Sequence, residues 1–405
     1  MITYQEAMHL MLPELEELEP KNLPLLDAAG LILAQPVEAS WDMPRWDNSA
    51  MDGYALRHTS VQGEPLAVVG TAFAGHPYAG TLQAGEAIQI TTGTPLPLGA
   101  DTVVPVEDVS RRGDLVTCVS GVKPGQHVRR QGEEYRSGEL LLPAGTCLHA
   151  GEIGLLASAG VDQVRVIPRP TVAIISTGDE LVELGRTPGR GQIVNSNLPY
   201  LISRLREVGA LPQPLGVGED NPEHLDVLLD KALDADLIIT TGGVSVGARD
   251  LVQEVLHKKG LRKIFWKVAI KPGKPVLFGM LGKIPSFGLP GNPAATAATF
   301  ELFVVPALNW MRGVKDVAPG RRQATLLRDL KGGGQRQTFL WCRCDWREGG
   351  YQVDVPQRQG SGQIRSVQGA NALLPLPVDG TELNAGQQVE IILLRMPGSH
   401  DFRKG

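Results

Sequence analysis

The chain has 405 residues, enough for roughly two to four domains, and its 42% hydrophobic and 20% charged content is that of an ordinary globular protein. A net charge of -5 argues against a nucleic-acid binder held by general basicity, and 5% aromatic residues leave no stacking surface for bases. Four cysteines in so long a chain do not make a disulfide framework. Cys342 and Cys344 alternate onto one face if WCRCDW is a strand, and read there as two small apolar residues.

In chain order, residues 3–18 predict a short amphipathic helix with Thr3 and Glu6 as a capping box. The same segment lacks a basic stretch followed by an apolar run, and no run of 18 apolar residues occurs, so a soluble cytoplasmic protein is expected, with no membrane and no nucleic-acid partner. Residues 24–38 suggest pieces of a small α/β unit, and SWDMPRWDNSAMDGYAL is polar and turn-rich. From Pro65 to Leu142 short β-type runs alternate with Gly and Pro, the pattern of a compact β domain. Residues 151–168 read as helix, turn and strand, with Pro168 and Pro170 marking a boundary.

A βα alternation follows. TVAIISTG is a buried-type strand, and PQPLGVG and DLIITTGG are strands; PYLISRLREVG, NPEHLDVLLDKALDA and RDLVQEVLHKKG are helices. Asn221 and Asn292 each stand before Pro as helix caps. The pattern is a doubly wound α/β sheet, which binds ligands at the carboxyl ends of its strands. After Arg312 short strands return, for a C-terminal β domain.

Four clusters carry chemistry. Thr241-Gly242-Gly243, followed by Ser245 and Asp250, comes after a strand, where glycines allow close approach to a ligand. Asp250 reads either as a helix cap or as a Mg2+ ligand, since Mg2+ takes one or two carboxylates plus phosphate oxygens. Lys267, Lys271 and Lys274 surround IKPGKP, where prolines hold the backbone extended and partly pre-position the ammonium groups for a pyrophosphate, unless the segment is only a basic surface turn. Asp179 and Glu180 follow the first strand of the alternation and suit a metal, a ligand hydroxyl or a capped turn. The loop from Asp47 to Tyr54 packs two carboxylates, an amide and a hydroxyl around Met51, the density of a binding loop. Further polar turns hold Thr92 and Thr94, Arg129 to Glu134, and Ser361; Asp220 precedes a helix cap. HExxH and P-loop motifs are absent.

WDNSAMDGYA, TTGTPLP, STGDELV, NSN, TTGGVSVGARD, IKPGKP and GLPGNP, in this order and spacing, resemble bacterial MoeA, the molybdopterin molybdenumtransferase family related to the gephyrin E domain. The resemblance covers almost the whole chain. It implies an elongated multidomain α/β plus β fold: a discontinuous N-terminal domain (1–44 and 143–169), a β domain (45–142), a doubly wound Mog-like α/β domain (170–313) and a C-terminal β barrel-like domain (314–405). It also implies a homodimer that uses Mg2+ to move molybdenum from molybdate to adenylylated molybdopterin, releasing AMP, after transient contact with an adenylyltransferase. The adenylyltransferase step itself and a non-catalytic molybdopterin-binding scaffold are the alternatives.

By motif, Asp52, Glu180, Asp250 and Lys271 fall at catalytic positions, with Asp250 and Glu180 for the metal. Thr92, Thr94, Arg130, Glu134, Asp179, Asp220, Gly242, Gly243, Ser245, Lys267, Lys274, Asn292 and Ser361 fall at substrate-binding positions. Glu134 departs from the aspartate that many family members carry in that turn.

Overall fold

The computed structural model describes the whole chain except residues 62, 120, 219–220, 244–250, 315–316, 318–319, 381 and 398–405. The chain divides into a smaller unit, Asn22–Ala29 with Leu33–Arg165, and a larger one, Met1–Lys21 with Gly30–Ile32 and Val166–Gly405.

Helix α1 (Tyr4–Met11) belongs to the larger unit and has the expected capping box. The Glu6 N–H donates to Thr3 Oγ1 at 3.2 Å, and the Thr3 N–H donates to the Glu6 carboxylate at 2.7 Å. It is shorter than the 3–18 expectation, because Pro13 has no N–H for the next helical bond and Leu12–Glu14 tightens into a 3-10 turn. Tyr4, Ala7 and Met11 form its buried face.

In the smaller unit, β1 (Gly53–Leu56), β2 (Leu66–Ala72), β3 (Glu86–Ile90), β4 (Thr102–Pro105), β5 (Val109–Arg112) and β6 (Leu115–Cys118) make a sheet of order β4-β1-β3-β2-β6-β5. Only the β2–β3 pair is parallel. Apolar residues pack on both faces: Tyr54, Leu56 and Val104 on one, Ala55, Ile88 and Val103 on the other. Every residue of β1 is buried, and at Gly53 a Cβ would lie 2.1 Å from the Val104 carbonyl oxygen, so the strand admits only glycine there. Helix α2 (Ala150–Ser158) follows as expected.

The larger unit holds the βα alternation: β7 (Thr171–Thr177), α3 (Asn197–Glu207), β8 (Leu211–Gly218), α4 (Pro222–Ala232), β9 (Leu237–Thr241), α5 (Leu251–Lys258), β10 (Arg262–Trp266), β11 (Ile270–Lys271), β12 (Leu277–Leu281) and β13 (Ile284–Leu289). The sheet order is β8-β7-β9-β13-β12-β10. The first four strands are parallel, and β12 and β10 add antiparallel neighbours. In β7, Val172 and Ile174 enter one core while Ala173 and Ile175 enter the other, as a strand covered by helices on both faces requires. The Asn221 side chain caps α4 by accepting from the Glu223 and His224 N–H groups, and Gly209, at φ +78°, follows α3.

Pro293–Met311 forms one apolar helical run, long enough by composition to cross a bilayer but buried in this core. It comprises α6 (Pro293–Thr299), a π segment (Phe300–Val304) and α7 (Val305–Met311). The π segment carries the buried Glu301, whose carboxylate meets Arg204 at 2.7 and 3.1 Å and Tyr200 at 3.3 Å. Burial opposes the charge on Arg204, but the Glu301 carboxylate outweighs it and raises the guanidinium pKa.

β14 (Arg321–Leu326), β15 (Gln337–Arg347), β16 (Gly350–Asp354), β17 (Ala372–Leu376) and β18 (Gln388–Leu393) close into a barrel, because β17 pairs with both β18 and β15. Along β15, Phe339 and Trp341 pack into the α/β core, whereas Cys342 and Cys344 face the barrel interior. Burial raises both thiol pKa values, Cys344 to about 11, so both cysteines behave as the small apolar residues expected.

Glu301→Ala leaves the Arg204 guanidinium buried without its carboxylate and is expected to cost about 3 kcal/mol, read as a lower urea midpoint. The double variant Arg204→Met with Glu301→Leu should recover most of that loss. A single variant as stable as the parent would show that the pair contributes nothing.

Candidate functional site

The switch point of the sheet lies between β7 and β9, where the chain turns from building one side to building the other. The loops at the carboxyl ends of these strands are tied side to side. Thr177 Oγ1 donates to the Thr241 carbonyl at 3.2 Å, the Gly242 N–H to the Leu289 carbonyl at 3.1 Å, and the Gly178 N–H to the Gly218 carbonyl at 3.4 Å. Gly242 has φ +89° and an added Cβ there would lie 2.5 Å from the Thr177 carbonyl oxygen; at Gly243, φ +62°, it would lie 2.4 Å from a Val252 methyl. Only glycine fits either position. Gly291 abuts Gly242, and Asn197 Nδ2 donates to the Gly291 carbonyl at 2.8 Å. Glu180 folds back over this edge, its Oε2 2.4 Å from where a Cβ on Gly178 would sit, while Asp179 is exposed.

Asn292 and Ser361, distant in sequence, meet here. Asn292 makes no side-chain capping bond to α6, contrary to the expectation that it caps like Asn221. The Ser361 carbonyl instead accepts from the Ala294 and Ala295 N–H groups at 3.0 and 3.3 Å, and Asn292 Nδ2 donates to Ser361 Oγ at 3.3 Å. The edge therefore brings Gly242, Gly243, Glu180, Asn292 and Ser361 together. Asp220, Ser245 and Asp250 lie outside the described residues. Among the described residues, no three of His, Cys, Asp and Glu gather as a metal-ligand set.

The three lysines are held differently from one another. The Lys267 N–H donates to the Val276 carbonyl and the Val268 N–H to the Lys274 carbonyl, both at 3.1 Å, so Lys267 and Lys274 sit on the two sides of a closed loop. Lys267 has φ +67°, unusual for a side chain with a Cβ, and its Nζ lies 3.5 Å from the Trp266 ring centroid. Sequence reasoning gave Trp266 no role; the adjacent aromatic was the available signal. Ile2 pairs with Val268 and accepts from the Ala269 N–H at 2.8 Å, bracing the loop from outside. Lys271 is carried away from the loop's closing pair on β11, opposite Thr338 of β15, and lines a cavity of about 670 Å³ with Arg328, Lys331 and Gln359.

In the smaller unit the loop from Asp47 to Gly53 is clamped by two turns. The Thr92 N–H and hydroxyl donate to Asp52 Oδ1 at 2.7 and 2.8 Å, and these bonds, the N–H first, lower the Asp52 pKa. Thr94, expected beside Thr92 as a ligand contact, is instead fully buried with its hydroxyl 3.0 Å from that of Thr91. Arg130 pairs with Asp47 at 2.6 Å, and the Gln131 N–H donates to the other Asp47 oxygen at 2.8 Å. Burial works against ionisation of Asp47, yet the Gln131 and Arg130 bonds outweigh it and its pKa falls. Glu134 is exposed and tied by its N–H to the Met43 carbonyl at 2.9 Å.

Fold and site together define a doubly wound α/β protein with a glycine-lined ligand edge and flanking β domains. Residues 2–160 match the MoeA N-terminal region (domain I and II), 173–310 a probable molybdopterin binding domain, and 323–394 the MoeA C-terminal region (domain IV). The chain is 38% identical over 400 residues to a molybdopterin molybdenumtransferase of Nostoc sp., covering 96% of this chain and 91% of that relative. It is 34% identical over 403 residues to molybdopterin molybdenumtransferase 2 of Mycobacterium tuberculosis, covering 96% and 99%. The crystal structure of a molybdopterin biosynthesis MoeA protein from Pyrococcus horikoshii superposes with a TM-score of 0.83 at 30% identity, covering 98% of this chain and 99% of that one. The chain belongs to the MoeA family of molybdopterin molybdenumtransferases.

Gly242→Ala should collapse the edge, with loss of ligand affinity measured by calorimetry; parent-like affinity would remove the close approach as a requirement. The Asp52 clamp is charged above the ordinary aspartate pKa and is lost as pH falls through the lowered value. Thr92→Ala removes one of its two donors and should raise the Asp52 pKa in an NMR carboxylate titration, whereas an unmoved titration would exclude the hydroxyl as a cause.

Proposed function

We propose that this protein inserts molybdenum from molybdate into adenylylated molybdopterin and releases AMP, as a step of molybdenum cofactor biosynthesis. The near-full-length likeness to relatives bearing that enzyme name carries the reading. The glycine-lined edge at the switch point supports it, since room for close approach to the backbone is what a pyrophosphate needs.

In this reading Gly242 and Gly243 let the pyrophosphate approach the backbone closely, the Gly242 N–H staying on the Leu289 carbonyl, and Lys267 and Lys274 supply charge. Asn292 and Ser361 contribute side-chain hydrogen bonds where α6 begins. Asp52 is a catalytic residue in this reading, and Thr92, Arg130, Glu134, Asp179, Asp220 and Ser245 are further substrate-binding residues. Glu180 and Asp250 would hold Mg2+, a donor set that fits an ion taking one or two carboxylates with phosphate oxygens and waters. When bound, Mg2+ withdraws charge from the phosphoanhydride that is hydrolysed. Molybdate is itself an anion, and Arg130 already faces Asp47, so Lys271, with Arg328 and Lys331 around its cavity, offsets repulsion by the carboxylates. The protein works as a homodimer in this reading and receives its substrate from the adenylyltransferase.

Purified protein supplied with adenylylated molybdopterin, molybdate and Mg2+ is expected to release AMP only when molybdate is present. Binding without turnover would favour a carrier, and synthesis of the adenylate from ATP and molybdopterin would favour the preceding step. Lys271→Ala and Asp250→Ala should each slow AMP release by at least about tenfold, the loss expected for one charged contact, with the unfolding midpoint unchanged. Parent-like turnover in either variant removes that residue from the machinery.

A further inference from the structure

We propose that the larger unit carries a second binding site, at the amino edge of the α/β sheet, for an organic oxyanion: a phosphate or carboxylate on an apolar body. The inference is independent of the reading above. Helix α3 runs antiparallel to β7, so its last turn lies at the strands' amino ends, opposite the glycine-lined loops. A cavity of about 860 Å³ opens there, of the size that takes a small organic ligand. Its lining includes Arg169, Arg204, Arg206, Arg312 and Arg395, against two carboxylates, Glu207 and Glu301. The chain as a whole carries a net charge of -5, so this excess of guanidinium groups is local.

The α3 dipole accounts for cations in its last turn, where Arg204 and Arg206 lie. It does not account for Arg169, which precedes β7, Arg312, which follows α7, or Arg395, which follows β18. Several of these groups are held in place. Arg204 is committed to Glu301 and also meets Glu207 at 3.0 Å. Arg395 lies 3.6 Å from Glu207 and donates to the Ala370 carbonyl at 2.7 Å. Arg312 donates to the Val208 and Gly30 carbonyls at 2.6 and 3.1 Å, bonds that fix its direction. Arg169 and Arg206 are exposed at the rim. Guanidinium groups match phosphate and carboxylate oxygens in pairs, which sets the charged end of the ligand. Val305, Pro306, Ile392 and Leu393 supply apolar lining for its body.

The test is calorimetric titration of the full chain with phenyl phosphate, inorganic phosphate and benzoate. One saturable phenyl phosphate site per chain is expected, weakened about tenfold by Arg206→Ala, partly restored in Arg206→Lys, and unmoved by Lys274→Ala. Benzoate competing for the same site assigns the carboxylate form, and its failure to compete assigns the phosphate form. Phenyl phosphate that does not saturate overturns the site. So does binding that follows Lys274→Ala but ignores Arg206→Ala, and inorganic phosphate binding as tightly as phenyl phosphate overturns the apolar body. Arg206 is exposed on α3, and an unchanged urea midpoint for its variants separates lost binding from lost fold.

Discussion

The carboxyl edge of the α/β sheet depends on one steric constraint: neighbouring strand ends approach too closely for side chains. Thr177 and Thr241 are linked hydroxyl to carbonyl, and Gly242 lies against the Thr177 carbonyl on one side and Gly291 on the other. Glycine at 242 and 243 satisfies positive φ and close packing together. The outcome is an edge floored by backbone, whose Gly242 N–H is given to the Leu289 carbonyl and whose Gly178 N–H is given to the Gly218 carbonyl.

Around that floor the side chains are anchored from far along the chain. Ser361 arrives from the barrel and spends its carbonyl on the first turn of α6, so the hydroxyl beside Asn292 is placed by backbone. The Lys267 ammonium rests on its neighbour Trp266, giving up part of its hydration for a fixed direction. In the smaller unit, taken by itself, Asp52 is likewise placed by both donors of one threonine. In each case the side chain gives up rotamer freedom to contacts within the fold itself.

The βα alternation was readable from the sequence because its signals are local: buried strands without alternation, Asn221 with Pro222 to start a helix, Gly209 to end one. The glycine-bearing turns were readable for the same reason. What escaped depends on partners remote in sequence. Asn292 looks like Asn221 in its Asn-Pro context, yet Ser361 takes over its capping task, and nothing within several residues of Asn292 signals that. Thr92 and Thr94 look equivalent in TTGTP, but burial against the loop at 47–53 leaves only Thr92 on Asp52. The resemblance implied the C-terminal barrel, but strand spacing alone does not specify that β17 pairs with both β18 and β15.

The bond between Ile2 and Ala269 also bears on the order in which the chain assembles. Ile2 pairs with a segment made more than 260 residues after it, and the ring that Tyr4 meets edge-on, Phe339, comes later still. At ordinary elongation rates that is an interval on the order of 15–60 seconds. Throughout it Ile2 and the Tyr4 ring lack these partners, while the smaller unit, encoded between, can complete its own sheet. Nascent chains halted before the lysine loop would carry α1 without these contacts.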